Sequence, residues 1–487
     1  MPTIAAMADK PQPRRDNAVP PILDLAAWIA DPVEPADFPR TQLRWRNDRA
    51  ADEIGLDSLS DEEWIAHLGL FEPLPGNLPQ PLALRYHGHQ FRVYNPEIGD
   101  GRGFLFAQLR DEDGRLMDLG TKGSGQTPWS RAGDGRLTLK GAVRELLATE
   151  MLEALGVNTS RTFSIVETGE ELWRGDEPSP TRSAVLTRLS HGHIRIGTFQ
   201  RLLAHDEPDH MRELVDYCLT QFPGPPPPDG APNAEDPAVR LLHQVVERLA
   251  DTGASWMVAG FVHGVLNTDN MNVSGESFDY GPWRWLPKWE PGFTAAYFDH
   301  AGLYAFGRQP EALGWNCAQL ATALRLVAPS EGLIAALERF GPLYGEHLRR
   351  RWLWRLGVKP RGEQEDAALI AACERHMRDS GSQPDAFFFA HRTAAPDTEP
   401  ARLIGAYERT GNDHDYWREG TPESMLIDEV EAIWSAIDER DDWQPLMDKV
   451  NALRRMGEAH GEPPPPAAQA LENASPRSDS DEPAQSR

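Results

Sequence analysis

Between residues 91 and 157 short apolar runs alternate with turn signals. The run 91–94 (FRVY) predicts a strand, 95–103 (NPEIGDGRG) a glycine-rich turn and 104–109 (FLFAQL) a second strand. Asp111 to Gly114 (DEDG) reads as a hairpin turn, and 116–122 as a third strand that ends on Lys122. After a polar loop, 123–135, the apolar residues Val143, Leu146, Leu147, Met151, Ala154 and Leu155 recur at helical spacing up to Gly156. Glu145 lies off that stripe. A further strand is predicted at 183–188. Beyond residue 235 the periodicity is mostly helical, notably over 238–250, 332–355, 363–378 and 423–437. The pattern predicts an α+β chain: a β-rich N-terminal lobe carrying one helix, then an α-rich C-terminal lobe.

Proline marks the boundaries. Residues 1–20 are polar and proline-rich, and 462–487 hold almost no large apolar residue, so neither segment offsets its ordering entropy and both are expected to be disordered. The stretch 223–232 (PGPPPPDGAP) can be neither helix nor central strand and reads as an exposed interlobe or surface loop, set at 223–235. The chain is therefore divided into an N-terminal region and β-rich lobe at 21–222, a catalytic lobe at 236–330 and a helical C-terminal part at 331–461.

Composition narrows the function. The 487 residues carry 75 Asp and Glu against 49 Lys and Arg, a formal charge of −26 that repels phosphate backbones and anionic lipid, so neither nucleic acid nor membrane is an expected partner. No run reaches the ~18 apolar residues of a membrane span, and residues 1–16 have no apolar core of a secretory signal. Cys218, Cys317 and Cys373 lie far apart, which fits a reducing compartment and excludes a disulfide scaffold. A cytoplasmic protein is expected.

Three constellations could carry chemistry. In Gly99-Asp100-Gly101-Arg102-Gly103, glycines let backbone N–H groups approach phosphate, and Lys122 from the following strand can reach the same anion. Glu145, on the helix after Lys122, stands where kinase-like folds hold that lysine by an ion pair. The sharpest is His263-Gly-Val-Leu-Asn-Thr-Asp269-Asn270 followed by Asp279-Tyr280-Gly281. It resembles the kinase catalytic loop HRDLxxxN and its DFG, with Asn270 and Asp279 at the metal-binding positions and hard oxygen ligands that suit Mg²⁺. The kinase catalytic aspartate is here Val265, and the nearest carboxylate is Asp269. Arg188 and Arg195 add guanidinium forks for phosphate oxygens. The pairs His87/His89 and His191/His193 could ligate zinc, but each lacks an obvious third ligand and is read as structural.

The stretches YHGHQFRVYNPEIGDGRG, LGTKGSGQTPWSRAGDGR, VRELLATEMLEALGV, LTRLSHGHIRIGTF and HGVLNTDNM…FDYGP resemble the selenoprotein O (SelO/YdiU) family, strongly over about 40–330. The resemblance implies a protein-kinase-like two-lobed fold with extra C-terminal helices, and a nucleotide bound in flipped orientation. AMP from ATP, or UMP from UTP, would then pass to Ser, Thr or Tyr hydroxyls of proteins, releasing pyrophosphate. Carried onto matching positions, Gly99, Gly101, Arg102, Lys122, Asp134, Gly135, Arg188 and Arg195 would hold the nucleotide. Asp269 would accept the proton, Asn270 and Asp279 would bind Mg²⁺ or Mn²⁺ with Asp279 also at the nucleotide, and Glu145 would support Lys122. The family's C-terminal cysteine or selenocysteine motif has no counterpart beyond Cys373, so disulfide control is not expected. Two alternatives remain on the residues alone: a kinase-like phosphotransferase using the γ-phosphate, and a non-catalytic nucleotide-binding pseudokinase scaffold.

Overall fold

The computed structural model describes residues 19–175, 177–394, 396–411 and 413–464. Most of the two segments expected to be disordered, 1–20 and 462–487, lies outside the described residues. The described chain divides into two compact units, 19–149 with 160–201 and 150–159 with 202–464.

The first unit is built on an antiparallel sheet. Its strands are β1 (Ala30–Pro32), β2 (Gln42–Arg46), β3 (Leu82–Leu84), β6 (Leu105–Arg110), β7 (Leu116–Lys122), β8 (Leu137–Thr138), β9 (Arg161–Leu172) and β10 (Thr181–Ser190), while β4 (Gly88–Gln90) and β5 (Val93–Asn95) form a separate hairpin. The sheet order is β1-β3-β6-β7-β10-β9-β2, with β8 also on β10. One face is covered by an apolar core including Trp64, Phe71, Phe104, Phe106, Leu119 and Phe163. Trp64 stacks on Phe163 at 4.8 Å and its indole N–H donates to Ser164 Oγ at 2.8 Å, so a buried aromatic keeps its one polar atom satisfied.

The predicted hairpin of strands at 104–109 and 116–122 is β6–β7. Of the strand expected at 91–94, only Val93 and Tyr94 are in a strand, β5. Gln90 pairs with Val93, so Phe91 and Arg92 are the two residues of a tight turn and take φ of +50° and +65°. A two-residue hairpin turn that matches strand twist demands positive φ at both positions, and this outweighs the alternating pattern. The glycine-rich turn therefore does not join two paired strands as expected. The partner of β6 is β3, and the turn closes an excursion from β3 through the β4–β5 hairpin, rejoining it where Arg85 bridges Gly99.

The second unit is helical. Its central helix, Pro237–Ala259, starts at Asp236, whose carboxylate accepts from the N–H of Ala238 and Val239, and stops at Gly260 with φ +69°. The helix Phe340–Leu356 packs along it. Trp352, Leu353 and Leu356 from that helix join Leu369, Phe387, Phe388 and Ile404 in the core. The helix expected over 332–355 is two helices, Ser330–Glu338 and Phe340–Leu356. The proline-rich stretch is an exposed irregular segment, but the change of unit falls at 201/202. The helix Pro208–Gln221 packs on Pro237–Ala259 and so belongs with the second unit. Among the described residues no helix is long and apolar enough to cross a membrane.

Candidate active site

The first unit brings most of the predicted phosphate-binding residues into two linked clusters. The helix Leu139–Ala154 is buried nearly all round. Glu145, off the apolar stripe, is consequently 1% exposed and meets charge rather than water. Lys122, the last residue of β7, places Nζ 2.8 Å from Glu145 Oε2. Arg188 on β10, in register with Gly120 of β7, brings Nε to 3.5 Å from Glu145 Oε1. Two cations thus share one buried carboxylate. A carboxylate in this setting is tolerable only because it is paired, and the trio keeps net positive charge.

The second cluster is the glycine turn with Arg195. Asp100 exchanges backbone hydrogen bonds with β3 through its N–H to Leu84 O, and its Oδ2 accepts from Leu84 N–H, both at 3.0 Å. Its Oδ1 accepts from Arg195 Nη1 at 2.8 Å, and that guanidinium lies 4.4 Å from the centre of the Tyr86 ring. Gly123 N–H donates to Arg102 O at 2.6 Å, which ties the turn to the residue after Lys122. The Arg102 side chain is exposed.

Asp134 is not in either cluster. It is exposed and paired with Arg174 at 2.8 Å, and accepts from Arg136 N–H. Burial alone would raise its pKa, but the Arg174 hydrogen bond and the neighbouring guanidinium charges outweigh it and hold the carboxyl below its usual range. Gly135, at φ +71°, is pressed against Gly125, where an added Cβ would lie 2.2 Å from the Gly125 carbonyl carbon. Only glycine fits that closure of the 123–135 loop.

In the second unit the loop 263–270 follows β11 (Phe261–Val262), which pairs with β12 (Arg284–Trp285). The loop is buried yet lacks ladder partners, so side-chain amides supply them: Gln309 takes Phe261 O and His263 N–H, and Asn316 donates to Leu266 O. Asn267 Oδ1 accepts from Tyr304 OH at 2.9 Å. His263 ties this loop to the Asp279 turn. Its Nε2 lies 3.0 Å from Phe278 O, and Val265 N–H points at its Nδ1 at 3.4 Å. Those partners require the neutral tautomer protonated at Nε2.

Asp269 and Asn270 lie on the short 3₁₀ turn Thr268–Asn270. Asn270 Nδ2 donates to Val265 O at 3.1 Å, which fixes the amide and leaves Oδ1 as its cation-binding atom. Asp279 sits at φ +62°, a conformation that aspartate tolerates better than most residues and that recurs at functional sites. The following Tyr280 anchors the turn: its hydroxyl lies 2.5 Å from Thr159 Oγ1 and donates to Ser277 Oγ at 2.8 Å. An amide oxygen and a carboxylate on two braced turns fit a hard divalent cation.

The four histidines of the HxH pairs each have a protein partner: Tyr94 for His87, Gln200 for His89, the Leu116 carbonyl for His191 and Asp118 for His193. All three thiols are free and buried, and burial pushes the Cys317 pKa up to about 12, so thiolate chemistry is suppressed. The sequence reading missed the braces Gln309, Asn316 and Tyr304. For Asn316 the visible signal was a polar residue set within an apolar helical period.

A family model described as "Protein adenylyltransferase SelO" matches residues 16–419. "Protein nucleotidyltransferase YdiU" of Synechocystis sp. is 42% identical over 470 residues, 89% of this chain and 97% of the relative. The protein of the same description from Synechococcus elongatus is 49% identical over 342 residues, 70% of this chain and 68% of its own. Among solved structures, ROP2 from Toxoplasma gondii, titled a virulence factor with a protein-kinase fold and no enzymatic activity, covers 74% of this chain and 93% of its own. Its identity is 11% and its TM-score 0.26, too low to argue from.

Proposed function

The chain belongs to the SelO family of protein adenylyltransferases, and from that premise we propose how its residues divide the work of transferring a nucleoside monophosphate to protein hydroxyls. The observation that carries the reading is the loop 263–270. Its only carboxylate is Asp269, while Val265 has no acid–base capacity and lends its carbonyl to Asn270.

On this reading, the Lys122–Arg188 pair, Arg195 and the turn Gly99–Arg102 bind the polyphosphate, with Glu145 holding Lys122 and Arg188 in place. Asp134 and Gly135 act through the 123–135 loop. The acceptor hydroxyl oxygen of a Ser, Thr or Tyr attacks the α-phosphorus as its proton passes to the Asp269 carboxylate. The bond from the α-phosphorus to the oxygen bridging to the β-phosphate breaks, and pyrophosphate leaves. Asn270 and Asp279 would hold Mg²⁺ or Mn²⁺, which when bound neutralises phosphate charge. ATP is the expected donor, with UTP the second. The acidic surface disfavours nucleic acid and membrane partners, and a cytoplasmic site of action fits the buried, reduced thiols.

The test is label transfer to protein by the purified chain with Mg²⁺, comparing ATP labelled at the α- and γ-phosphates. Protein-bound α-label is expected. Bound γ-label would mean ordinary phosphoryl transfer and would overturn the assignment of the reacting phosphorus.

A further inference from the structure

The segment Thr127-Pro128-Trp129-Ser130 packs directly on the glycine turn. Thr127 Oγ1 accepts from Trp129 N–H at 3.1 Å and donates to Asp100 O at 2.5 Å. Ser130 Oγ accepts from Thr127 N–H at 2.8 Å and donates to Gly101 O at 2.5 Å. Each hydroxyl is therefore committed: its lone pair takes a backbone N–H of its own segment, and its one proton goes to a carbonyl of the turn. The Trp129 ring lies across Gly99, where an added Cβ would come within 2.5 Å of the indole, and the Trp129 carbonyl lies 3.0 Å from a Cβ built on Gly101. The indole N–H donates to Asp31 Oδ2 at 3.0 Å, and Asp31 is ion-paired with Arg85, the residue that bridges Gly99.

The consequence follows from peptide planarity. In a trans peptide the carbonyl of one residue and the N–H of the next point in opposite directions. With the carbonyls of Asp100 and Gly101 both held by hydroxyls, the N–H groups of Gly101 and Arg102 are turned away from the 127–130 segment. Among the described residues neither N–H has a backbone or side-chain acceptor. Two successive amides aimed the same way, beside the exposed Arg102 side chain, form an anion-binding concavity.

We propose that Thr127, Trp129 and Ser130 are positioning residues of the nucleotide site, which pin the glycine turn so that the amides of Gly101 and Arg102 face the phosphates. Trp129 leaves no room for a side chain at Gly99 and would be pressed by one at Gly101. The assignment rests on the reading that this turn binds the nucleotide.

The test is steady-state α-label transfer by the full chain with Mg-ATP, comparing Thr127→Val/Ser130→Ala, Thr127→Ser and Arg102→Ala. The double variant keeps shape but frees both carbonyls. Its KM for ATP is expected to rise about tenfold or more while kcat changes little, whereas Thr127→Ser, which keeps the hydroxyl, stays near the parent. Arg102→Ala separates this proposal from its premise. A raised KM in Arg102→Ala with an unchanged KM in the double variant overturns the positioning role alone. Unchanged KM in both overturns the premise that the turn binds nucleotide, and the positioning role with it. Should the double variant lose its thermal transition, Ser130→Ala alone carries the same comparison. A parent-like KM in that folded variant overturns the role of its hydroxyl.

Discussion

The two units hold their candidate residues by different physics. In the first, charged groups are held by charged groups: Lys122 and Arg188 on Glu145, Arg195 on Asp100. In the second, the turns carrying Asp269, Asn270 and Asp279 are braced by neutral donors and acceptors, namely His263, Gln309, Asn316, Tyr280 and Tyr304. The difference suits the proposed ligands. A cationic phosphate site can tolerate a structural carboxylate as long as cations outnumber it, whereas neutral braces hold a turn in place without adding charge beside the groups it carries.

That contrast can be broken at its extremes. Asp279→Ala removes a proposed metal ligand from a turn held by its neighbours, so α-label transfer is expected to be lost while the melting temperature falls only modestly, through the strain of alanine at positive φ. Full activity in this variant would overturn the metal assignment. Glu145→Ala should hurt both properties, because Lys122 and Arg188 would lose the buried carboxylate they share. Breaking such a pair costs about 3–5 kcal/mol, readable by denaturant unfolding alongside a loss of transfer. An unfolding midpoint like the parent's would show that the trio is not the structural centre of the first unit. His263→Phe tests the neutral bracing. It removes the imidazole bond to the Phe278 carbonyl, at roughly 1–3 kcal/mol, and should lower kcat by loosening the Asp279 turn while the KM for nucleotide stays closer to the parent.

The smallest effect is in pH dependence, and it sharpens the contrast from the side of stability. His243 accepts from Arg339 Nη1 at 2.9 Å, and burial together with that guanidinium lowers its pKa to about 4. Burial, with Arg392 and Arg355 nearby, likewise holds His460 well below its ordinary value. The unfolded chain protonates these rings near pH 6.5 while the folded one does not, so acid favours unfolding. The melting temperature should be flat above about pH 6.5 and fall as pH drops from there toward 4. His243→Gln should flatten part of that descent, and an unchanged slope in the variant would remove His243 from the account.

Much of the candidate site was legible in the sequence. Glycine turn, lysine, helix glutamate and the 263–279 loops appear in an order that side-chain chemistry makes meaningful, and the structure puts Lys122 against Glu145 at hydrogen-bond distance. The strand reading failed at Phe91 and Arg92 because their positive φ is imposed by pairing between β4 and β5, which no local pattern of apolar residues reports. The N-terminal strands β1 to β3 and the long strand β9 were missed for a related reason. Their burial is shared with distant strands, so the short runs Ala30–Pro32 and Leu82–Leu84 have too few residues to show a period of their own.

The sequence by itself determined the residue types and their order: which groups carry charge, where the metal-type oxygens lie, and that Val265 cannot act as a base. These are covalent facts and survive any folding. Tertiary structure alone decided which charges meet and which polar atoms are satisfied. Arg188 reaches Glu145 through the register of β10 on β7, His263 is fixed in one tautomer by a carbonyl fifteen residues on, and Thr127 and Ser130 orient a turn that precedes them by more than twenty residues. Hydrogen bonds and ion pairs act over about 3 Å, and only the folded chain sets distances of that size between residues so far apart in sequence.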